Sequence, residues 1–160
     1  PEGIDVPPHR YYLTGWGLGH AYVIRPPWST LTAYDLNRGV IKWQRPVGLD
    51  RDAAAEGGTN TGVPQAQRNG MIVTSSGIVF STAKDGKIYA FDAEDGDILW
   101  SGDLPTGTEG LPSYYEIDGQ PYLVVTATTP LIFGRSDDDE PPPPDQPRPQ
   151  GGYVVFSLPK

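Results

Sequence analysis

The sequence predicts an all-β fold, and three observations support this prediction. The 160 residues include 20 glycines and 18 prolines, which leave few uninterrupted stretches long enough for helices. No long apolar stripe with a 3.6-residue period is present. The apolar residues instead form short runs rich in Val, Ile, Tyr and Phe, bounded by Gly, Asp, Asn and Pro. Such runs are typical of short strands joined by tight turns.

The runs place the strands, in chain order, at 29–36, 40–48, 71–75, 77–83, 87–93, 97–105, 113–118, 121–129 and 152–159. Asp85-Gly86 and Asp95-Gly96 lie between alternating segments and predict hairpins, because glycine tolerates a positive φ. The four strands over 71–105 are predicted to form one antiparallel sheet of the size of a propeller blade. Residues 49–69 predict a long polar loop, and such loops often carry function.

The composition also excludes several classes of function. The net charge is −8 and the basic residues are scattered, so nucleic-acid binding is not expected. No apolar run reaches the length of a transmembrane helix. The absence of cysteine excludes disulfides and thiolate metal sites. The opening PEGIDVPPHR lacks a signal-peptide pattern and indicates a processed or excised segment.

Two segments are predicted to lie outside the regular sheets. Residues 1–28 contain two Pro-Pro pairs and a glycine-rich stretch, so an irregular lead-in is expected. Residues 136–150 combine a carboxylate run with a polyproline run, which indicates a solvated surface excursion. The spacing and central glycine of an acidic calcium loop are missing from it.

One eleven-residue frame occurs twice, as AYDLNRGVIKW at 33–43 and as AFDAEDGDILW at 90–100. The alanine is small enough to let a neighbouring blade approach, and the glycine supplies the positive φ of a hairpin. Trp43 and Trp100 each offer a broad face that can pack between adjacent blades. The sequence therefore predicts repeated propeller blades joined by tryptophan contacts.

The frame resembles the tryptophan-docking motif of the dehydrogenases that depend on pyrroloquinoline quinone (PQQ). The flanking segments 26–48, 69–105, 109–125 and 152–160 are similar to the same family, so the resemblance covers roughly residues 26–160. It implies about two and a half four-stranded antiparallel blades of an eight-bladed propeller. Residues 29–48 would end one blade, 69–105 would form a full blade, and 111–160 would form the closing blade. The ending Leu158-Pro159-Lys160 implies the C-terminal part of such an enzyme.

The resemblance also implies a chemistry. Relatives oxidise alcohols or sugars in the periplasm, using PQQ and calcium, and pass electrons to a membrane quinone or a cytochrome. The calcium ligands and the catalytic aspartate are expected outside this chain, since no segment matches them. We therefore expect no catalytic or metal-binding residue here, no activity of the chain alone, and association with the remaining blades.

This region is predicted to supply one wall of the quinone pocket. The loop over 57–71 enters the innermost strand of a blade, and such loops face the central channel. Because PQQ is a flat tricarboxylate, Arg68 could pair with a carboxylate, and Asn60 or Asn69 could donate hydrogen bonds. Gly70 would allow the backbone to approach the ring. An Arg-Asn-Gly sequence before a strand also fits a plain turn.

The sequence leaves two alternatives to the dehydrogenase interpretation open. A non-enzymatic propeller scaffold of the outer-membrane assembly lipoprotein type would use the same docking motif, although its blades tend to be short and plain. Carbohydrate binding through exposed Trp16 and Trp28 is a third interpretation, without support from their spacing.

His9 and His20 have no third ligand at metal spacing, which favours a structural or solvated role.

Overall fold

The computed structural model describes residues 25–63, 70–108, 110–127 and 151–157. The predicted all-β class is confirmed within these ranges. The elements, in chain order, are β1 Thr30–Asp35, β2 Val40–Pro46, α1 Arg51–Ala55, β3 Met71–Val73, β4 Ile78–Ala83, β5 Lys87–Asp92, β6 Ile98–Asp103, β7 Ser113–Ile117, β8 Gln120–Ala127 and β9 Gly152–Ser157. The predicted lead-in before residue 25 and the insert at 136–150 lie outside the described residues.

The strands form three antiparallel sheets with simple sequential order. The first contains β1 and β2, the second contains β3 to β6, and the third contains β7 to β9. The second sheet is the four-stranded unit that the sequence predicts over 71–105. Each predicted strand is present. In the described residues most strands begin one residue later or end one or two residues earlier than predicted, because the flanking residues belong to turns, whereas β8 begins one residue earlier, at Gln120.

The repeated frame has the same backbone structure in both copies. The carbonyl of Asp35 accepts a hydrogen bond from the Gly39 amide at 2.8 Å, and the carbonyl of Asp92 accepts one from Gly96 at 2.9 Å. Both glycines have a positive φ, 67° and 79° respectively. The pairing register also shifts at the same place in each copy, after Ala33 and after Ala90. The spacing from Asp to Gly therefore encodes one particular hairpin turn.

The central strands of the second sheet, β4 and β5, are buried between its two neighbours. Tyr89 and Phe91 of β5 belong to a core that also contains Leu31 and Trp43 of the first sheet. Ile88, on the opposite face of β5, belongs to a core shared with the third sheet. A strand with apolar residues on both faces is thus the central layer of the stack.

Trp43 joins the first sheet to the second. The residue is 8% exposed, and its indole Nε1–H donates to the carbonyl of Ala93 at 3.0 Å. Two ion pairs flank it: Lys42 with Glu94 at 2.6 Å and Arg45 with Asp97 at 3.1 Å. The prediction that this tryptophan packs between neighbouring blades is confirmed by these contacts.

Trp100 makes a weaker contact with the third sheet. The residue is 42% exposed, and its ring meets Phe156 edge-on, with centroids 5.4 Å apart. No hydrogen bond of its indole N–H is found among the described residues. The two tryptophans of the repeat are therefore not equivalent within the described part of the chain.

The segment predicted as a long polar loop at 49–69 contains one short helix, α1. Asp50 caps it, since its Oδ1 accepts a hydrogen bond from the Ala53 amide at 2.9 Å. The alanines of the sequence favour helix. Gly57 then adopts a φ of 87°, and the Gly58 amide donates to the carbonyl of Ala53 at 2.7 Å. The aspartate before the alanines and the glycine pair after them are the sequence signal for this turn of helix.

Candidate functional site

The chain between β2 and residue 63 forms a compact excursion whose two ends lie side by side. Leu49 and Gly62 form an isolated parallel bridge. The Asp50 amide donates to the hydroxyl of Thr61 at 2.9 Å, and Thr61 is 1% exposed. We call residues 47–63 the connecting segment. Because these contacts hold the two ends of the segment together, the residues next to Thr61 have a defined position.

Asn60 lies directly before this buried threonine but is itself exposed. Its φ of 54° is in the left-handed region, which asparagine tolerates better than most residues. Its side chain has no hydrogen-bond partner among the residues that the structure describes. The amide is therefore exposed to solvent and free to meet a ligand, while its place in the wall of a quinone pocket stays a prediction.

Gly70 is adjacent to the next connection between sheets. Its amide donates to the carbonyl of Gly110 at 2.9 Å. The space beside its Cα is filled by Leu111, because a Cβ at this position would lie 1.7 Å from Leu111 Cδ2. The absence of a side chain at Gly70 thus leaves room for the side chain of Leu111. Arg68 and Asn69 lie outside the described residues, so only Asn60 and Gly70 of the predicted set have described positions.

The turn between β4 and β5 anchors the connecting segment. Asp85 Oδ2 accepts hydrogen bonds from the Leu49 amide at 3.0 Å and from the Tyr89 hydroxyl at 2.5 Å. Its Oδ1 accepts one from the Lys87 amide at 3.1 Å. The sequence predicted Asp85 only as a hairpin residue. Its contact with Leu49 joins segments 36 residues apart, and no local pattern reveals such a contact.

Tyr89 stays protonated because of this environment. Burial raises the pKa of its phenol above the ordinary 10.0, and the hydrogen bond to the Asp85 carboxylate raises it further. The folded state therefore holds the proton where the unfolded chain releases it. The resulting stability is fully present below pH 10 and decreases as the pH rises beyond the phenol's ordinary pKa.

We expect a Tyr89→Phe variant to lose this pH dependence. Above about pH 10, the free energy of unfolding of the wild type should fall more steeply than that of the variant, by about 1.4 kcal/mol per pH unit. Denaturant unfolding of both proteins at about pH 9 and about pH 11 measures the difference. Other tyrosines and lysines titrate equally in both proteins and cancel. An identical pH slope for the two proteins would contradict the assignment.

Neither a metal site nor a membrane helix is found in the described parts of the chain. No three His, Asp or Glu side chains there are grouped so as to hold an ion. No helix in the same ranges is long and apolar enough to cross a membrane.

The three stacked antiparallel sheets, with a tryptophan docked on the neighbouring turn, define part of a β-propeller. The family model of the PQQ-type β-propeller domain of glucose, ethanol and alcohol dehydrogenases matches residues 8–123. The chain therefore belongs to this family, which confirms the resemblance inferred from the repeated frame. Eight as the number of blades stays a prediction.

Three curated relatives illustrate the similarity. The glycerol dehydrogenase large subunit of Gluconobacter oxydans is 35% identical over 133 residues, covering 79% of this chain and 17% of the relative. The quinoprotein glucose dehydrogenase of Escherichia coli is 29% identical, covering 79% and 16%. The 1-butanol dehydrogenase (cytochrome c) of Thauera butanivorans is 31% identical over 124 residues, covering 75% and 16%. The chain thus spans about one sixth of the length of the curated relatives it matches.

Proposed function

We propose that the complete protein is a PQQ-dependent dehydrogenase that oxidises alcohols or sugars, and that this chain supplies propeller blades and one wall of the PQQ pocket. The observation that carries the proposal is the family match over residues 8–123. The names of the relatives support it, since they are dehydrogenases of glycerol, glucose and 1-butanol. These names favour an enzyme over the scaffold interpretation. The particular alcohol or sugar stays open.

The chemistry of the described donors fits one wall of such a pocket. PQQ carries three carboxylates and quinone oxygens, all of which accept hydrogen bonds. The exposed amide of Asn60 is a neutral donor held beside a buried anchor. Asn60 carries no charge, so the positive charge that pairs with a PQQ carboxylate has to come from another residue, and Arg68 is our candidate. Asn69 would be a second hydrogen-bond donor, and Gly70 would complete this wall near the end of the predicted loop over 57–71.

When bound, PQQ supplies the group that accepts two electrons from the substrate. Residues of this chain would orient the cofactor and exclude water around it. The base that takes the substrate proton and the ligands of a calcium ion are assigned to other blades. Accordingly, we assign no catalytic and no metal-binding residue to this chain.

The remaining blades are proposed to cover the apolar surfaces that the three sheets leave open. Tyr115, Ile117, Tyr153 and Val155 are exposed on the outer face of the third sheet. A contiguous apolar face of this kind favours association with another sheet. In this assignment residues 29–48 end one blade, 69–105 form a full blade, and 111–160 form the closing blade.

We also propose a periplasmic location and a membrane quinone or a cytochrome as electron acceptor. The name of the Thauera butanivorans relative specifies cytochrome c. We propose no nucleic-acid partner, because the net charge is −8.

Reconstitution tests the proposed function. The complete apoprotein is incubated with PQQ and Ca²⁺, and reduction of an artificial electron-accepting dye is followed with a panel of alcohols and sugars. We expect cofactor absorbance to co-elute with the protein and dye reduction to depend on at least one substrate. A complete protein that neither retains PQQ nor reduces the dye would overturn the proposal. The apoprotein without PQQ is the matched control.

A further inference from the structure

A single hydroxyl joins the two ends of the connecting segment. Ser29, the residue directly before β1, donates its Oγ–H to the carbonyl of Val47 at 2.9 Å. The same Oγ accepts a hydrogen bond from the amide of Val63 at 3.0 Å. Val47 and Val63 are the first and last residues of the connecting segment. The Ser29 side chain therefore closes this segment at its base.

The backbone on either side of this hydroxyl strengthens the closure. The Val47 amide donates to the Ser29 carbonyl at 3.1 Å, and the Trp28 amide donates to the Thr61 carbonyl at 2.8 Å. Trp28 and Ser29 thus contact both ends of the connecting segment through four hydrogen bonds, two of them from backbone groups alone. We call these two residues the strap.

Gly62 allows the strap to approach this closely. A Cβ at Gly62 would lie 2.6 Å from both the backbone nitrogen and the carbonyl oxygen of Ser29, and 2.9 Å from its Oγ. Its φ of 63° is also unfavourable for residues with a side chain. The contact is therefore backbone against backbone, and it cannot be relieved by rotating a side chain.

The strap determines where Asn60 is held. Thr61, the next residue, is fixed by Trp28 at its carbonyl and by Asp50 at its hydroxyl. The following two residues are fixed by Ser29. Asn60 is itself exposed, so its position depends on these neighbours and not on packing of its own side chain.

We propose that Ser29 is a positioning residue for the PQQ pocket, acting through the connecting segment on Asn60; this inference rests on the proposed function. Ser29 is not a member of either apolar core between the sheets. Loss of its hydroxyl should therefore loosen the segment more than it destabilises the sheets. A pre-positioned donor binds its ligand more tightly because less ordering is needed on binding.

Ser29→Ala in the complete protein tests the proposal. We expect the dissociation constant for PQQ, measured by titrating the apoprotein, to rise about tenfold. Hydrogen exchange at the Val63 amide should become faster in the apoprotein, since this amide loses its acceptor. Ser76→Ala is the matched control, because this exposed serine lies in the β3–β4 turn and its hydroxyl is hydrogen-bonded to that of Thr74. It should change neither quantity.

Gly62→Ala provides a second variant that leaves Ser29 intact. It should displace the strap by steric contact and raise the same dissociation constant. Because both variants disrupt one contact, their combination should raise the constant less than the product of the single effects. This coupling is a result that a general loss of stability does not produce.

Two results would overturn the inference while leaving the proposed function intact. In the first, wild type and Ser29→Ala bind PQQ equally although exchange at Val63 is faster in the variant. In the second, the exchange rate of Val63 is the same in both proteins, which would show that the closure is absent. A wild-type protein that does not bind PQQ would instead overturn the proposed function on which the inference rests.

Discussion

Replacement of Trp43 with alanine is expected to lower the free energy of unfolding of the complete apoprotein by about 3–5 kcal/mol. Trp43 is 8% exposed and belongs to the core between the first two sheets. Its removal leaves a cavity at this interface and leaves the Ala93 carbonyl without its indole donor. The shift in the urea midpoint, at an unchanged slope, measures the loss.

Trp43→Phe separates packing from hydrogen bonding. Phenylalanine keeps most of the ring but has no N–H, so we expect it to destabilise the protein by about 1–2 kcal/mol. The outcome that would contradict the docking contact is an alanine variant that is no less stable than the phenylalanine variant. Such a result would show that the ring is not packed between the sheets.

Gly96→Ala is expected to destabilise the same interface from its other side, by about 2–4 kcal/mol. A Cβ at Gly96 would lie 2.6 Å from Cε3 and 2.7 Å from Cδ2 of the Trp43 ring. The φ of 79° adds backbone strain for any residue with a side chain. Gly96 is therefore required for two reasons. It adopts a positive φ, and its lack of a Cβ leaves room for the indole ring of Trp43.

Gly77→Ala is the matched control for this substitution. Gly77 has a φ of 82°, but a Cβ there would meet nothing within 4 Å. It should therefore cost only the backbone strain, about 1 kcal/mol. Urea unfolding of the two variants measures the difference, and equal losses would show that contact with Trp43 contributes nothing. Adding Trp43→Ala to Gly96→Ala should remove the steric part, so the two losses should not be additive.

Much of the fold follows from local sequence. The hairpin turns at Asp85-Gly86 and Asp95-Gly96 and the eleven-residue frame depend on residues close together in the chain. An Asp followed by Gly at a fixed spacing specifies its turn through local hydrogen bonds and a positive φ. Strand positions were predictable for the same reason, and within the described residues the differences lie at strand ends and at helix α1.

The candidate site was less predictable. The sequence suggested Asn60 and Gly70 by their type and place, but gave no sign that Leu111 would fill the space beside Gly70. It also gave no sign of Ser29, whose partners are 18 and 34 residues away. These contacts connect segments that local propensity treats separately, so only their arrangement in space reveals them.

Trp43 and Trp100 show which features follow from the sequence and which depend on the tertiary structure. The sequence by itself determined that both belong to the same repeated frame, and through that frame it determined the propeller family. Only the tertiary structure decided that Trp43 is buried on Gly96 and bonded to Ala93, while Trp100 has an edge contact with Phe156 and remains 42% exposed. The physical reason is that a frame specifies its own turn, whereas burial of its tryptophan depends on what the next sheet places opposite it.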